Sequence, residues 1–575
     1  MDGRVDAGMI AERHINRRGV LRGLSGVLGA ALVGVHPSIA EAVTCPNACR
    51  SMVGEKDTWI HGLPIVDAHC HIFNALDVPA FQFITKVFLP HYAVHLDSSN
   101  RRKLESKIRD ASADMLGRTP GFEQERAVLE ARLAGESEAE ALASVADLPK
   151  FARGSARSCF GADVADNIVA IKNLVSILTQ FRHKNFEALV MTNAHKEPHV
   201  RVALYTPSMV DMDYWLGAAS AHDNVIGDID SGVQSMHQSS PRQQVELMEM
   251  IQRLHPGRCH GFVSFCPWRQ ADDAFHNAQV GEESPARRRT ALETVEDAIL
   301  NRGFLGVKLY PPMGFRALGN AEIQLEGFPA DAAGTPFAGA FGQHLDEALR
   351  ALYVFCVKHD VPIMAHAAPS NGAGSYDAGD ADMGYEERAH PKYWARVLAE
   401  PGLSNLRLNL AHFGDGHHPQ KTVEWREVIG DLMDAYPNVY TDLSHYPELV
   451  MDNFIGIGQR CREAAETLGQ IRKSFLAGER GVKRAQRILY GSDWSMLAKE
   501  YYYADYLPVV AHMYRRKIYG VGAGAKQNAR AFLSYNAREF LGLRNGNKAR
   551  ARIEAWYARH GLDTSGFRAL DVVDD

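Results

Sequence analysis

"LPIVDAHCHIFN", residues 63–74, ends an apolar run with two histidines one residue apart. A β-strand sends alternate side chains to one face, so His69 and His71 are expected together, with Ala68, Cys70 and Ile72 opposite. Two imidazoles at a strand end can bind one ion at about 2.0–2.1 Å each if other segments complete the site. A half-exposed strand end with satisfied hydrogen bonds would look the same. The rest of the chain has to decide.

Beyond this strand the pattern turns helical until about residue 187. "RRKLESKIRDASADMLG" and "ERAVLEARLAGESEAEALASV" carry apolar residues at helical spacing in an Ala-, Glu-, Leu- and Arg-rich background. Short apolar runs then alternate with helical segments: "FEALVMT" or "VRVALYT", "CHGFVSFCP", "FLGVKLYPP", "VPIMAHAAP", "LRLNLAHFG", "VYTDLS" and "RILYGSDW". With the opening strand that makes about eight βα units, which predicts an α/β fold, a (β/α)8 TIM barrel with a helical insertion after the first strand. The expected division is 43–74 for the mature N-terminus and first strand, 75–187 for the insertion as a lid or oligomer interface, 188–545 for the remaining barrel and 546–575 for a C-terminal extension. Two Gly-, Ala- and Asp-rich loops, 319–339 and 369–390, follow the fourth and fifth strands. "NARAFLSYNAREFLGL" reads as an amphipathic helix on the barrel wall.

Composition narrows the partners. The 575-residue chain is 46% hydrophobic, has a net charge of −6 and lacks a long basic run, so nothing points to nucleic acid and a small-molecule substrate is expected. Its mean hydropathy of −0.24 suits a soluble protein with a large core. At the N-terminus, Arg17 and Arg18 precede an uncharged stretch from Gly23 to Val35, and Ala40–Ala42 supplies small residues at a cleavage point. Residues 1–42 thus read as a twin-arginine-like signal peptide, although Asn16 and Val20 depart from the commonest pattern. This predicts a periplasmic or secreted protein handled by twin-arginine export machinery; the competing reading is a cytoplasmic chain with a frayed apolar end. Among eight cysteines no zinc-ribbon spacing occurs. Cys45 and Cys49 flank "PNA", which allows a small disulfide loop or two thiols.

Barrel strands are buried on both faces, so charge at their ends needs a reason. Lys308 in "GVKLYPP", His366 in "IMAHAAP", His412 in "NLAHFGDG" and Asp493 in "LYGSDW" all stand where βα loops leave the strands, the face that carries barrel chemistry. Singly each has a plain explanation: a rim histidine, a helix N-cap, a snorkelling lysine. Five strands offering His, Lys or Asp at one level would make a costly polar mouth unless the groups share a cation.

This ordered set resembles the amidohydrolase superfamily, in its amidohydrolase-related (amidohydrolase 2) branch, from about Pro64 to Leu543 and excluding the insertion. The resemblance implies a metal-dependent hydrolase. His69 and His71 would bind a first divalent metal with His366 and Asp493, and Asp493 would also act as proton acceptor. His412 would be a second-metal ligand or a proton donor and oxyanion partner. Lys308 would be either carboxylated and bridging two metals or a plain ammonium holding an anionic substrate group. One or two Zn2+ per chain are implied, with Mn2+ an alternative, and the implied reaction is hydrolysis of an ester, lactone or amide by activated water. Its rivals are a carbon–carbon lyase (decarboxylase) of the same branch and a non-catalytic metal- or ligand-binding barrel. Tyr310, Arg316, Trp268, Arg269 and His445, with Asp442 nearby, are the candidates for contacting substrate. A homo-oligomer is compatible with all of this.

Overall fold

The structure, a computed structural model, describes residues 60, 62–88, 108–109, 112–137, 175–194, 201–217, 239–369, 372–373, 385–414, 419–445, 469, 471–473, 475–476, 478–498, 503–513, 523–568 and 570–571. The signal-peptide segment with Arg17 and Arg18, and the Cys45–Cys49 pair, lie outside these residues.

Eight short strands carry the core: β1 (Pro64–Cys70), β2 (Arg201–Pro207), β3 (Phe262–Ser264), β4 (Gly306–Leu309), β5 (Ile363–His366), β6 (Leu408–Ala411), β7 (Val439–Leu443) and β8 (Ile488–Tyr490). Apart from Arg201 every strand residue is buried, as expected of parallel strands enclosed by helices. β1 pairs with β2, and β3 to β8 pair in sequence order, all parallel. Bridges Tyr205–Cys259 and Ser208–Phe262 join β2 to β3. Between β8 and β1 the ring is closed by the Asp493 N–H donating to the His69 carbonyl at 2.7 Å. Asp67 adds a second clasp, accepting from the Ser492 N–H at 3.0 Å and its hydroxyl at 2.6 Å. The result is the eight-stranded barrel.

The helices are α1 (Phe122–Leu133) and α2 (Arg182–Ala194) between β1 and β2, then α3 (Pro241–Leu254), α4 (Pro267–Val280), α5 (Ala291–Asn301), α6 (Phe341–His359), α7 (Lys392–Ala399), α8 (Pro419–Ala435) and α9 (Gly478–Ala485). Residues 523–540 form a helical run on the wall, where the Ser534 hydroxyl donates to the Pro64 carbonyl and the Asn536 amide to those of Ala485 and Ile488.

One open choice is settled and three expectations change. "FEALVMT" is helix and "VRVALYT" is β2: Phe186 and Leu189 are buried three apart while Met191 is exposed, a helical period. The division at residue 187 therefore falls inside α2, which continues to Ala194. Strict alternation also fails in β1, because the register shifts between Asp67 and Cys70. Val66 and Ala68 pack with Leu204, Met364 and Leu489, whereas Cys70 packs with Tyr205 and Cys259.

The residues after 545 are part of the barrel's core. Helix α10 (Lys548–His560) closes the N-terminal face of the barrel, with Ile553, Trp556, Tyr557, Phe567 and Leu570 packed against Val66, Phe262 and Leu305. Gly303 (φ 74°) permits this, since a Cβ there would stand 2.7 Å from the Trp556 ring. The Gly257 N–H donates to the Tyr557 hydroxyl, which is 2.7 Å from His260 Nε2, while His260 Nδ1–H donates to the Gly303 carbonyl. Tyr557→Phe strands a buried N–H and a ring nitrogen, so it is expected to cost about 1–3 kcal/mol. Urea unfolding checks this, and an unchanged midpoint would contradict it.

Between β1 and β2, a buried ionic knot ties the helices to the loop below His71. Arg182 donates to Asp77 at 2.6 and 2.7 Å and to the Ser239 hydroxyl at 2.8 Å. It also pairs with Glu125 of α1, which accepts from the Asn74 amide at 2.9 Å. Farther along, Lys86 donates to the Leu216 carbonyl beyond β2 at 2.9 Å.

Candidate metal centre

The C-terminal strand ends converge on one polar mouth. His69 lies within the β1 irregularity and His71 just after the strand, Lys308 sits in β4, His366 ends β5, Asp442 sits in β7, His412 comes directly after β6 and Asp493 three residues past β8. His412 (φ 67°), Phe413 (51°), His445 (57°) and Asp493 (50°) are left-handed, four of the five such non-glycine residues among those described. At His412 and Asp493 this strained backbone turns the side chain to the mouth, while Phe413 packs on Phe475. The imidazoles crowd together: ring centroids lie 4.8 Å apart for His69–His412, 4.5 Å for His366–His412 and 5.5 Å for His69–His71.

Hydrogen bonds assign the ring nitrogens. His71 Nδ1 lies 2.8 Å from the Ser208 carbonyl, which can only accept, so Nδ1 carries the proton. Its Nε2 then presents a lone pair 3.4 Å from Asp493 Oδ1. Burial pulls His71 down to about 3 despite the opposing field of Asp493, so it is a neutral ring at pH 7. A lone pair facing a carboxylate in a buried site is unfavourable unless a proton or a metal cation lies between them, and burial of His71 works against the proton. Burial would raise the Asp493 carboxyl, but the imidazoles of His69, His71, His412 and His445 outweigh it and keep it ionised.

Asp442 organises a second layer. Its carboxylate accepts from the Asn409 amide (2.7 Å), the His412 N–H (3.0 Å) and the Ser444 N–H and hydroxyl (3.2 and 2.7 Å), and lies 3.1 Å from His69 Nδ1. These donors engage the Asp442 carboxylate and tie it to His69 and His412, and the three also have the spacing of a metal triad. The other such triad is His69, His71 and Asp493. Burial, then His69, pulls His412 down to about 3, and burial with His412 and Lys308 holds His366 well below its ordinary value. Lys308 Nζ lies 2.9 Å from His69 Nε2 and 3.3 Å from Met364 Sδ. Burial lowers the Lys308 amine to about 8, against the fields of Asp442 and Asp493.

Of the residues expected to contact substrate, Tyr310 packs on His366 with ring centroids 4.8 Å apart, and His445 lies close enough to act on the Asp493 carboxylate. The other three face elsewhere. Trp268, on the first turn of α4, packs against Trp215 and Phe341. Arg269 is held by Asp211 at 2.8 Å and Asp213 at 3.2 Å. Arg316 stacks over Tyr393 and donates to the Gly319 carbonyl. Both helix-start residues point outward because "CPW" already begins α4, and Arg316 lies past the tight turn at Gly314. Sequence reading passed over Asn409, Ser444 and the Ser208 carbonyl. Asn409 left a signal, an amide in a fully buried strand; Ser208 and Ser444 left none.

Comparison with known proteins agrees with this geometry. Residues 238–543, more than half of the chain, match the model of the Amidohydrolase family. Solved structures with similarity include 4-oxalomesaconate hydratase from Rhodopseudomonas palustris (11% identity, covering 77% of this chain and 96% of that one, TM-score 0.32). Others are a probable 2-pyrone-4,6-dicarboxylic acid hydrolase from Acinetobacter baumannii (15%, 52% and 78%, 0.27) and a TIM-barrel protein from Bordetella bronchiseptica (16%, 54% and 74%, 0.29). No curated protein matches. A closed parallel barrel with His, Lys and Asp at its strand ends, and a family match spanning β3 to β8, make this chain an enzyme of the Amidohydrolase family.

Proposed function

We propose that this enzyme hydrolyses an ester, lactone or amide bond of a small molecule with a divalent cation, Zn2+ by preference, at the barrel mouth. The observation that carries the reading is the lone pair of His71 Nε2 facing the Asp493 carboxylate at 3.4 Å, a pair that a cation reconciles. His69, His71, His366 and Asp493 would hold it, with His412 on the adjoining side; nitrogen and oxygen donors of this kind suit Zn2+ or Mn2+. Such a cation supplies Lewis-acid polarisation and a source of nucleophile at neutral pH. The chain itself supplies a buried carboxylate, Asp493, to take and relay a proton, and a pocket wall at Tyr310. His412 Nδ1 is engaged by the Ser444 hydroxyl at 2.9 Å, which leaves Nε2 as the nitrogen for ligation or proton transfer. Residues 1–42 would direct export.

Lys308 decides between variants of this reading. An ammonium 2.9 Å from His69 Nε2 competes with a cation for that nitrogen, so Lys308 sheds its charge or becomes carboxylated when the site fills. Elemental mass spectrometry of purified protein tests this. About two metals per chain, falling to one or fewer in Lys308→Arg, would support a carboxylated bridge. About one, unchanged in Lys308→Arg, would favour a plain lysine and bring aromatic carboxylic acids, as decarboxylase substrates, onto the screen. None after metal-replete expression would overturn the proposal, as would full metal retention in His69→Ala/His71→Ala.

A further inference from the structure

We propose that Ser444 is a positioning residue that sets the proton on both His69 and His412 and so prepares their Nε2 atoms for a cation; this rests on the metal-centre reading above. The Ser444 hydroxyl lies 2.7 Å from Asp442 Oδ1, 2.9 Å from His412 Nδ1 and 3.1 Å from His69 Nδ1. A hydroxyl has one proton and two lone pairs. Asp442 already accepts from the Asn409 amide and two backbone N–H groups, which marks it as an acceptor. The hydroxyl proton therefore goes to Asp442, since two oxygens at 2.7 Å need a hydrogen between them. Both remaining contacts must then be donated to Ser444 Oγ. His412 Nδ1 carries its proton, and His69 Nδ1–H is shared between Ser444 Oγ and Asp442 Oδ2.

One side chain thus fixes two rings that come from the ends of different strands, β1 and β6. Packing supports this placement. Ser444 is buried, and Gly491 of the "YGSDW" turn makes room for it: a Cβ at Gly491 would stand 2.6 Å from the His69 Cβ and 3.1 Å from that of Ser444. Without the hydroxyl, His412 Nδ1 has no acceptor at that position, and its tautomers come closer in energy. Groups that orient metal-binding histidines in this way typically govern affinity by about 10–100-fold.

The test is a Co2+ titration of chelator-stripped full-length protein, followed by visible absorption and competition with a chromophoric chelator. Ser444→Ala is expected to bind Co2+ about 10–100-fold more weakly than wild type. Ser444→Thr, which restores the hydroxyl, is expected to come within about threefold of wild type, a rescue that a merely space-filling serine would not require. Thermal unfolding of the stripped proteins shows whether the fold is retained. Should Ser444→Ala fail to fold, Ser444→Cys fills the site with a weak acceptor and carries the same expectation. An isotherm for Ser444→Ala or Ser444→Cys that overlays wild type, with wild type binding Co2+, overturns the positioning role and leaves the metal centre standing. Wild type that binds no Co2+ overturns both.

Discussion

Asp493→Asn is expected to lower kcat/KM by about 10²–10⁴-fold, the range for losing a general base, measured at saturating metal on any ester, lactone or amide the enzyme turns over. Asn is the informative replacement. It matches Asp in shape and is among the few residues that tolerate the left-handed backbone (φ 50°) this position requires. The Asp493 N–H bond to the His69 carbonyl, which helps close the barrel, comes from the main chain and survives. What disappears is the charge opposite His71 Nε2 and the ability to accept a proton. Metal content measured in parallel separates the two losses: little lost metal with little turnover assigns Asp493 to proton transfer. Activity within threefold of wild type would remove that role.

The second large effect concerns stability. Arg182→Met is expected to cost about 3–5 kcal/mol, the usual penalty for stranding buried charge, read as a lower urea midpoint. Arg182 is buried between two carboxylates from different segments, Asp77 below His71 and Glu125 of α1, and its removal leaves them facing each other. The pH dependence has a definite sign. Burial, opposed by Arg182, raises Glu125 from 4.5 to about 7. Between those values the folded chain holds a proton that the unfolded chain has released, so this group's contribution to stability falls as pH rises. Without the guanidinium the carboxyl rises further, so Arg182→Met should be less destabilised at pH 5 than at pH 8. Adding Glu125→Gln should recover part of the loss at pH 8. A variant equally destabilised at both pH values, with no recovery in the double variant, would show that Arg182 acts by packing rather than charge.

How much of this was legible beforehand depended on how anomalous each residue was in its local setting. Lys308 and His366 stand out because a parallel strand buried on both faces has no routine use for a charge, whereas Asp442, expected after the seventh strand, lies inside it. Trp268 and Arg269 looked equally suggestive, yet a helix starting at Pro267 turned them outward to Phe341 and Asp211. The expected pairing of His69 with His71 held, but Cys70 left the company of Ala68 because the β1 register shifts between Asp67 and Cys70, and local sequence carries no mark of where a bulge falls.

By itself the sequence determined the α/β class, the order of the strands and the ends at which His69, His71, Lys308, His366, His412 and Asp493 stand. These follow from short-range patterns: hydrophobic runs, their spacing and the cost of burying charge. Only the tertiary structure decided that "VRVALYT" and not "FEALVMT" is β2, that α10 belongs to the core, and which nitrogens of His69, His71 and His412 face the mouth. The last rests on Ser208, Asp442 and Ser444, whose bonds to His69, His71 and His412 span 30 to 375 residues of the chain. Hydrogen-bond direction between such groups is set by the closed barrel, which no local window of sequence contains.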